Sequence, residues 1–365
     1  MKFLFAGYVF TREFSRPEQW LDRIKMYNGI LESLTKNNEV VSIQQIDYEG
    51  EHVKDGVKHY FKKFSKAGRY FPGKLHYFIK KQKPDVVVVQ GLHQPLQVIQ
   101  LRMALGSKTG IILHHHGERP FHGLKKYLQL WASRHVDGYL FASHEIGKEW
   151  VANGNISDRK RIYEVMEVSS AFYPIDKTTA KQKTGADAQT VFLWVGRLNE
   201  NKDPLCVVNA FLQYADMNTQ ARLYMIYQTE ELLPDIQQLL AGHPNKDAVV
   251  LIGQVPNDEL LYWYNSADFI VSGSHYEGSG TAVAEAMSCG CIPILTSIPS
   301  FKMITDKGQC GILYQAGNQA ALVGALKQTG QMNIAARSKK CLSYFKAKLS
   351  FDAIAREFET IAAAL

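Results

Sequence analysis

The chain has 365 residues, 46% apolar and 21% charged, with a formal net charge of +7. This composition excludes a disordered or fibrous protein, and the length exceeds the size at which single cores usually stop growing, so two domains are expected. The positive balance admits an anionic partner such as a nucleotide, a membrane surface or a nucleic acid, without choosing among them.

The opening segment MKFLFAGYVFTREF turns polar by Thr11, too soon for a secretory leader, and reads as a first strand. EVVSI, DVVVVQ, TGIILHH and DGYLFAS follow as further buried strands, separated by amphipathic stretches such as PEQWLDRIKMYNGILESLTK (17–36). The series restarts at TVFLWVG (190–196) and runs on through RLYMIY, AVVLIG, DFIVSG and CIPILT. Near-continuous apolar strands alternating with helices imply parallel sheets covered on both faces, hence an α/β chain with two doubly wound domains. SSAFYPIDKTTAKQKTGADAQ (169–189), polar and without an apolar period, marks the break between them. The boundaries expected are 1–170, a linker at 171–189, 190–345, and a last helix at 346–365 whose apolar face (Ile354, Phe358, Ile361) must dock on one domain or the other.

No stretch approaches the roughly 20 apolar residues that span a bilayer. Five cysteines, an odd number with no CxxC spacing, read as buried thiols in a reducing cytosol.

Ligands of parallel α/β sheets sit beyond the carboxyl ends of the strands, so the loops there carry the argument. FIVSG feeds SHYEGSG and then a small-residue helix. Gly278 and Gly280 let backbone N–H groups at the helix start approach an anion, the outline of a phosphate site. Glu277 lies on the loop. Glu285 lies about one and a half turns into the helix among alanines and Met287, where a carboxylate costs energy unless it is hydrogen-bonded or faces a wet cleft. A satisfied helix acid is the plain reading; the functional one gives it the hydroxyls of a ligand such as ribose. VFLWVG feeds GRLNENKDP (196–204), where Arg197 and Lys202 offer a bidentate donor and a point charge suited to a diphosphate.

In combination, VGRLNENKDP, LIGQV (251–255), the E-x7-E of Glu277 and Glu285, and GILYQAGNQAAL (311–322) resemble the donor-binding domain of retaining glycosyltransferases of family 4, which have the GT-B fold. The likeness covers about residues 190–325. It implies two Rossmann-like domains facing a cleft, with the last helix crossing back to the first. It also implies roles: Arg197 and Lys202 on the donor diphosphate, Glu285 on the ribose and Glu277 on the transferred sugar. Gly196, Gly278, Ser279, Gly280 and Thr281 would line the donor, with Gly253, Gln254 and Val255 near the base. The sequence departs from the family pattern at Tyr227, Gln228 and Thr229, where a glycine pair is usual, at Gly273, where proline is common, and in its first loop, which lacks a glycine-rich turn.

In the first domain, GIILHHHGE puts His114, His115 and His116 at a strand end. Adjacent residues of an extended chain point to opposite faces, so the three cannot converge on one metal. The resemblance places His116 at the donor sugar, against the alternative of a structural histidine; His93 is a weaker candidate. No D-x-D occurs, in keeping with a diphosphate neutralised by cationic side chains and no metal or other cofactor. VKDGVKHYFKKFSKAGRYFPGKLHYFIKKQKP (53–84) holds ten Lys and Arg against Asp55, with interleaved aromatics including Phe64. It reads equally as an anionic-membrane contact or as two surface helices packed on the sheet. No readout element for nucleic acid accompanies it.

The function expected is transfer of a sugar from a nucleoside-diphosphate donor to a glycan or lipid-linked acceptor, with retention. It would serve cell-surface polysaccharide or glycolipid synthesis, in the cytoplasm or at the inner membrane face. The rivals are a nucleotide-sugar epimerase on the same fold and a non-catalytic nucleotide- or sugar-binding partner of a polysaccharide complex.

Overall fold

The computed structural model describes residues 1–63 and 66–365, with the side chains of 66 and 67 set aside; Phe64 lies outside the described residues. Two compact units result, Met1–Ser169 with Phe351–Leu365, and Ser170–Ser350.

The first unit is built on strands β1 (Lys2–Thr11), β2 (Glu39–Ile46), β3 (Gly50–Lys54), β4 (Val57–Phe61), β5 (Val86–Gln90), β6 (Gly110–His114), β7 (Gly138–Phe141) and β8 (Arg161–Glu164). They form one sheet in the order β3-β4-β2-β1-β5-β6-β7-β8, parallel throughout except for the β3–β4 pair. The apolar runs fall at its centre, where Phe3, Leu4, Phe5, Val87, Val88, Ile111 and Ile112 are at most marginally accessible. The strand order reverses between β1 and β5, the switch point of a doubly wound sheet.

The last helix, Phe351–Ala363, belongs to this unit. Ile354, Phe358 and Ile361 are buried, and the Phe358 ring meets Phe5 edge-on at 5.7 Å and His114 at 5.6 Å. Burying one such phenylalanine contributes about 1.5–3 kcal/mol. Polar contacts fix the helix along its length: Lys36 pairs with Asp352 at 2.6 Å, and Asn38 donates to Glu359 at 2.7 Å.

The second unit holds β9 (Thr190–Gly196), β10 (Ala221–Tyr227), β11 (Val249–Gly253), β12 (Phe269–Ser272), β13 (Ile292–Thr296) and β14 (Ile312–Tyr314). Its sheet is wholly parallel in the order β11-β10-β9-β12-β13-β14, which reverses direction between β9 and β12. Ligands of such sheets bind outside the carboxyl ends at that reversal.

All ten apolar runs read from the sequence are strands. Four strands escaped that reading. β3 and β8 are largely solvent-facing edges, and β14 is three residues long, so none is a continuous apolar run. β4 corrects the reading of 53–84 as a pair of helices: Val57, His59 and Phe61 alternate inward with period two, and helix begins only at Lys66–Tyr70 and Gly73–Lys81. The segment 171–189, expected as a linker, contains the helix Lys177–Thr184 and is part of the second unit. Asp176 caps that helix by accepting from Thr179 N at 2.8 Å, and Gly185 ends it in the left-handed conformation. Capping and a single buried Ala180 hold it, which is why no apolar period announces it.

Candidate active site

At the switch point of the second unit two loops are stitched together. The β9 loop leaves Gly196 through Arg197 and makes a short turn, Glu200–Lys202, which Asn199 caps by accepting from Lys202 N at 3.2 Å. Asp203 follows in the left-handed conformation (φ 45°), and its side chain caps the helix Pro204–Ala215. The β12 loop runs back over this turn. His275 N donates to Asn201 O at 2.8 Å, Asn201 Nδ2 donates to Tyr276 O at 3.0 Å, and the His275 ring meets Asp203 Oδ2 at 3.1 Å. Gly273 leaves room at this crossing, since a Cβ there would sit tightly, 3.0 Å from Asp203 O and 3.1 Å from Lys202 O.

Strands β13 and β14 hold the end of β12. Tyr314 donates its hydroxyl to Ser272 O at 2.9 Å, and Thr296 Oγ1 donates to Ser274 O at 2.5 Å.

The stitching brings together side chains that lie far apart in the sequence. Lys202 Nζ forms an ion pair with Glu277 Oε1, with the two side chains 26% and 15% exposed. The β12 loop then enters the helix Thr281–Ser288 through Gly280, at φ 74°, where a Cβ would lie 2.8 Å from the Phe301 ring. Only glycine meets both demands, and the helix starts four residues after Glu277 on the same loop. Gly278 is half-buried and Ser279 buried on the same loop; Thr281 is the first helical residue.

Arg197 is exposed, and its guanidinium makes no hydrogen bond or ion pair with the described residues. Gly253 (φ 82°), Gln254 and Val255 lie at the end of β11, two strands from β9 on the sheet edge. Gln254 is exposed and Val255 packs against the core.

Glu285 is only 7% exposed, and its Oε2 accepts a hydrogen bond from the Tyr264 hydroxyl at 2.8 Å. Burial, with the Glu285 charge close by, pushes the Tyr264 phenol well above its ordinary range, so it remains a donor. The sequence left this carboxylate with little polar company because its partner sits on a different helix, Leu260–Ser266.

In the first unit, His116 follows β6. Its Nε2 meets Gln90 Oε1 at 2.5 Å, its Nδ1 meets Glu167 Oε2 at 2.6 Å, and its backbone N–H donates to Glu118 Oε2 at 2.7 Å. Burial works against the charged ring, but the Glu167 and Glu118 carboxylates outweigh it and raise the His116 pKa. His114 and His116 share one side, with ring centroids 5.0 Å apart. His115 points the other way, against Phe141 and Trp150. Burial lowers the His114 pKa to about 3. His93 stacks on Phe121 at 4.2 Å and bonds Arg119 O at 2.8 Å. Among the described residues no group of three or more His, Cys, Asp or Glu could hold a metal ion, and no helix is long and apolar enough to cross a membrane. Sequence reasoning missed four side chains: Tyr264 and Glu167 stand outside the quoted segments, and Gln90 and Glu118 end DVVVVQ and GIILHHHGE but carry no spacing signal of their own.

Comparison with known proteins bears on these sites. Residues 176–340 match the sequence model of the family "Glycosyl transferases group 1". A GDP-mannose:cellobiosyl-diphosphopolyprenol alpha-mannosyltransferase of Xanthomonas campestris is 31% identical over 169 residues, 45% of this chain and 44% of that protein. A D-inositol 3-phosphate glycosyltransferase of Thermobispora bispora is 25% identical over 274 residues, 67% of this chain and 59% of that protein. The chain thus spans about half the length of the curated relatives it matches. Among solved structures, Anabaena HepE in complex with UDP superposes with a TM-score of 0.76 at 13% identity over 100% of both chains. A glycosyltransferase from Rickettsia africae does so with a TM-score of 0.75 at 14% identity, over 100% of this chain and 97% of that one. The fold is GT-B, with two Rossmann-like α/β domains, and the second unit carries a domain of the glycosyl transferases group 1 family.

Proposed function

We propose that the chain is a retaining, metal-independent glycosyltransferase of family 4, moving a sugar from a nucleoside-diphosphate donor to a glycan or lipid-linked acceptor. The contact of Lys202 with Glu277 beside the Gly280 helix start, at the switch point of a parallel sheet, carries this reading. It sets a cation and an acid on the loops that lead into a glycine-entered helix start, a combination suited to a phosphorylated sugar. Support comes also from HepE, whose structures include UDP and UDP-glucose complexes, and from the Xanthomonas relative, whose name specifies a nucleotide-sugar donor and a diphosphopolyprenol-linked acceptor. Cell-surface polysaccharide or glycolipid synthesis in the cytoplasm is the setting we infer.

In this reading the diphosphate takes Lys202 and Arg197, with the N–H groups around Gly278 to Thr281 completing its cradle. Glu277, released from Lys202, turns to the hydroxyls of the sugar. Glu285, oriented by Tyr264, accepts from the ribose, and Gly253 to Val255 lie toward the base. His116 is the first unit's candidate for a sugar contact. The bond from anomeric carbon to phosphate oxygen breaks with its electron pair leaving on the phosphate. The acceptor oxygen bonds to the same face, and its proton passes to the departing phosphate oxygen, so no protein base is required. Most of the acceleration comes from stabilising the negative charge that develops on the diphosphate.

A thermal-shift series of nucleoside diphosphates and their sugars tests the reading. One base should raise the melting midpoint above the others, because a ligand that binds only the folded state stabilises it by mass action. Transfer should persist in a metal chelator. No stabilisation by any nucleoside diphosphate would overturn the donor assignment, and loss of transfer in chelator would overturn metal independence.

A further inference from the structure

We infer that His275, acting through Asp203, is a positioning residue for Lys202. The pair keeps the β9 and β12 loops in register while Lys202 and Glu277 part from each other to take the donor. This rests on the donor assignment above and adds two residues to that site.

The two loops cross in a short ladder of contacts. Asn201 O accepts from His275 N at 2.8 Å, and Asn201 Nδ2 donates to Tyr276 O at 3.0 Å. Lys202 pairs with Glu277, and Asp203, the next residue, meets the His275 ring through Oδ2 at 3.1 Å. Consecutive residues of one loop thus face residues 275–277 of the other. When a diphosphate takes Lys202 and a sugar takes Glu277, the ion pair between them opens. Of these contacts the His275–Asp203 pair then remains as the side-chain tie, and it is anchored on the residue that follows Lys202.

Asp203 is fixed from two sides. Its φ of 45° lies in the left-handed region, which a residue with a side chain enters only at a cost and keeps only where its surroundings hold it. One carboxylate oxygen caps the helix Pro204–Ala215 by accepting from Cys206 N at 3.3 Å, and the other meets His275. His275 is in turn fixed by a third loop. Gly317, which follows β14 and has φ 68°, lies against the ring, where a Cβ would stand 3.3 Å from His275 Cε1. The ring sits in a notch between two loops, yet 48% of the side chain is exposed, against 21% for Asp203. A ring so exposed adds little by burial. What it adds is a fixed hydrogen-bonding direction toward Asp203.

That direction matters to Lys202. Its ammonium rides on a flexible four-carbon stem, so its reach to a diphosphate depends on where its backbone stands. With the crossing held, binding orders the lysine alone. Without it, binding must order the loop as well, and affinity falls accordingly.

The test is isothermal titration of the full chain with UDP, GDP and ADP, continued with whichever binds the wild type most tightly. His275→Ala should weaken binding about fivefold, the scale of ordering one further side chain. The melting midpoint without nucleotide should stay within about 3 °C of wild type, because the Lys202–Glu277 pair still spans the loops. His275→Gln, whose amide nitrogen stands where the imidazole Nε2 does, should restore most of the affinity. Asp203→Gly keeps the left-handed turn and the cap position while removing the carboxylate, and should match His275→Ala. In a Lys202→Ala background, His275→Ala should weaken binding by less than about twofold, since the pair acts through the lysine. Wild-type affinity in both His275→Ala and Asp203→Gly overturns the positioning role and leaves the donor assignment standing. So does an equal loss with and without Lys202, or a His275→Gln variant that melts normally and binds no better than His275→Ala. Failure of the wild type to bind any of the three nucleotides overturns the donor assignment, and the positioning role with it.

Discussion

In the second unit, Lys202 and Glu277 stand on loops that run directly into helices, and each loop fixes the start of the helix it feeds. In the first unit, His116 is held by Gln90 at the end of β5, by Glu118 two residues on, and by Glu167 from the segment after β8. One site is made of local turns crossed over each other; the other is a single side chain gripped from several parts of the chain. Local turns leave their chemistry in the sequence as glycines, caps and charges at short spacing. A gripped side chain leaves only itself.

Removing the cation gives the largest contrast. Lys202→Ala should reduce turnover by about 10²–10³-fold, the scale of losing one group that stabilises a developing anion. Glu277 keeps some access to water, so stability should fall by no more than about 1–2 kcal/mol. Steady-state transfer assays alongside circular dichroism melts would check both halves. Turnover at the wild-type level would place the reacting diphosphate elsewhere.

Tyr264→Phe sharpens the contrast from the other side. Glu285 belongs to the same loop-and-helix motif as Glu277, yet it sits in the core and accepts from the tyrosine hydroxyl. Deleting that hydroxyl leaves a buried carboxylate one donor short, which should cost about 1–3 kcal/mol in urea denaturation. Donor affinity should fall with it, since Tyr264 orients the acid. A variant as stable as the wild type would mean that Glu285 depends on other groups, and Tyr264 would not be what orients it.

These two carboxylates also show what can be read without coordinates. The fold was legible because the central strands are apolar on both faces, and the β9 and β12 loops were legible because glycine, lysine and acid fall within a few residues of a strand end. Glu285 was visible as an anomaly, a charge among alanines. Its explanation was not, because Tyr264 lies 21 residues upstream on a helix whose sequence, LLYWYNS, reads as core. Gln90, 26 residues from His116, was likewise hidden. The β4 strand was missed because charge and aromatic density in 53–84 masked its period-two burial, and helix 177–184 because caps, rather than an apolar face, define it.

The smallest effect concerns the two histidines on one side of the β6 end, and it tests whether His116 is gripped as described. Its pKa is raised above 6.5 against the effect of burial, mainly by Glu167. The folded chain therefore holds a proton that the unfolded chain has already released. That contribution to stability is complete below about 6.5 and fades as pH rises through the folded-state value. His114 runs the opposite way. It is buried with its pKa lowered to about 3, so its contribution is complete above 6.5 and is lost as pH falls toward 3. Histidine-ring NMR titration separates the two: His116 should titrate above the ordinary midpoint, and His114 should stay neutral between about pH 5 and 8. Glu167→Gln should lower the His116 midpoint while Gln90 still holds its Nε2. An unchanged midpoint would shift the charge coupling to Glu118, and His116 would then depend on its own strand end, as Lys202 and Glu277 depend on theirs.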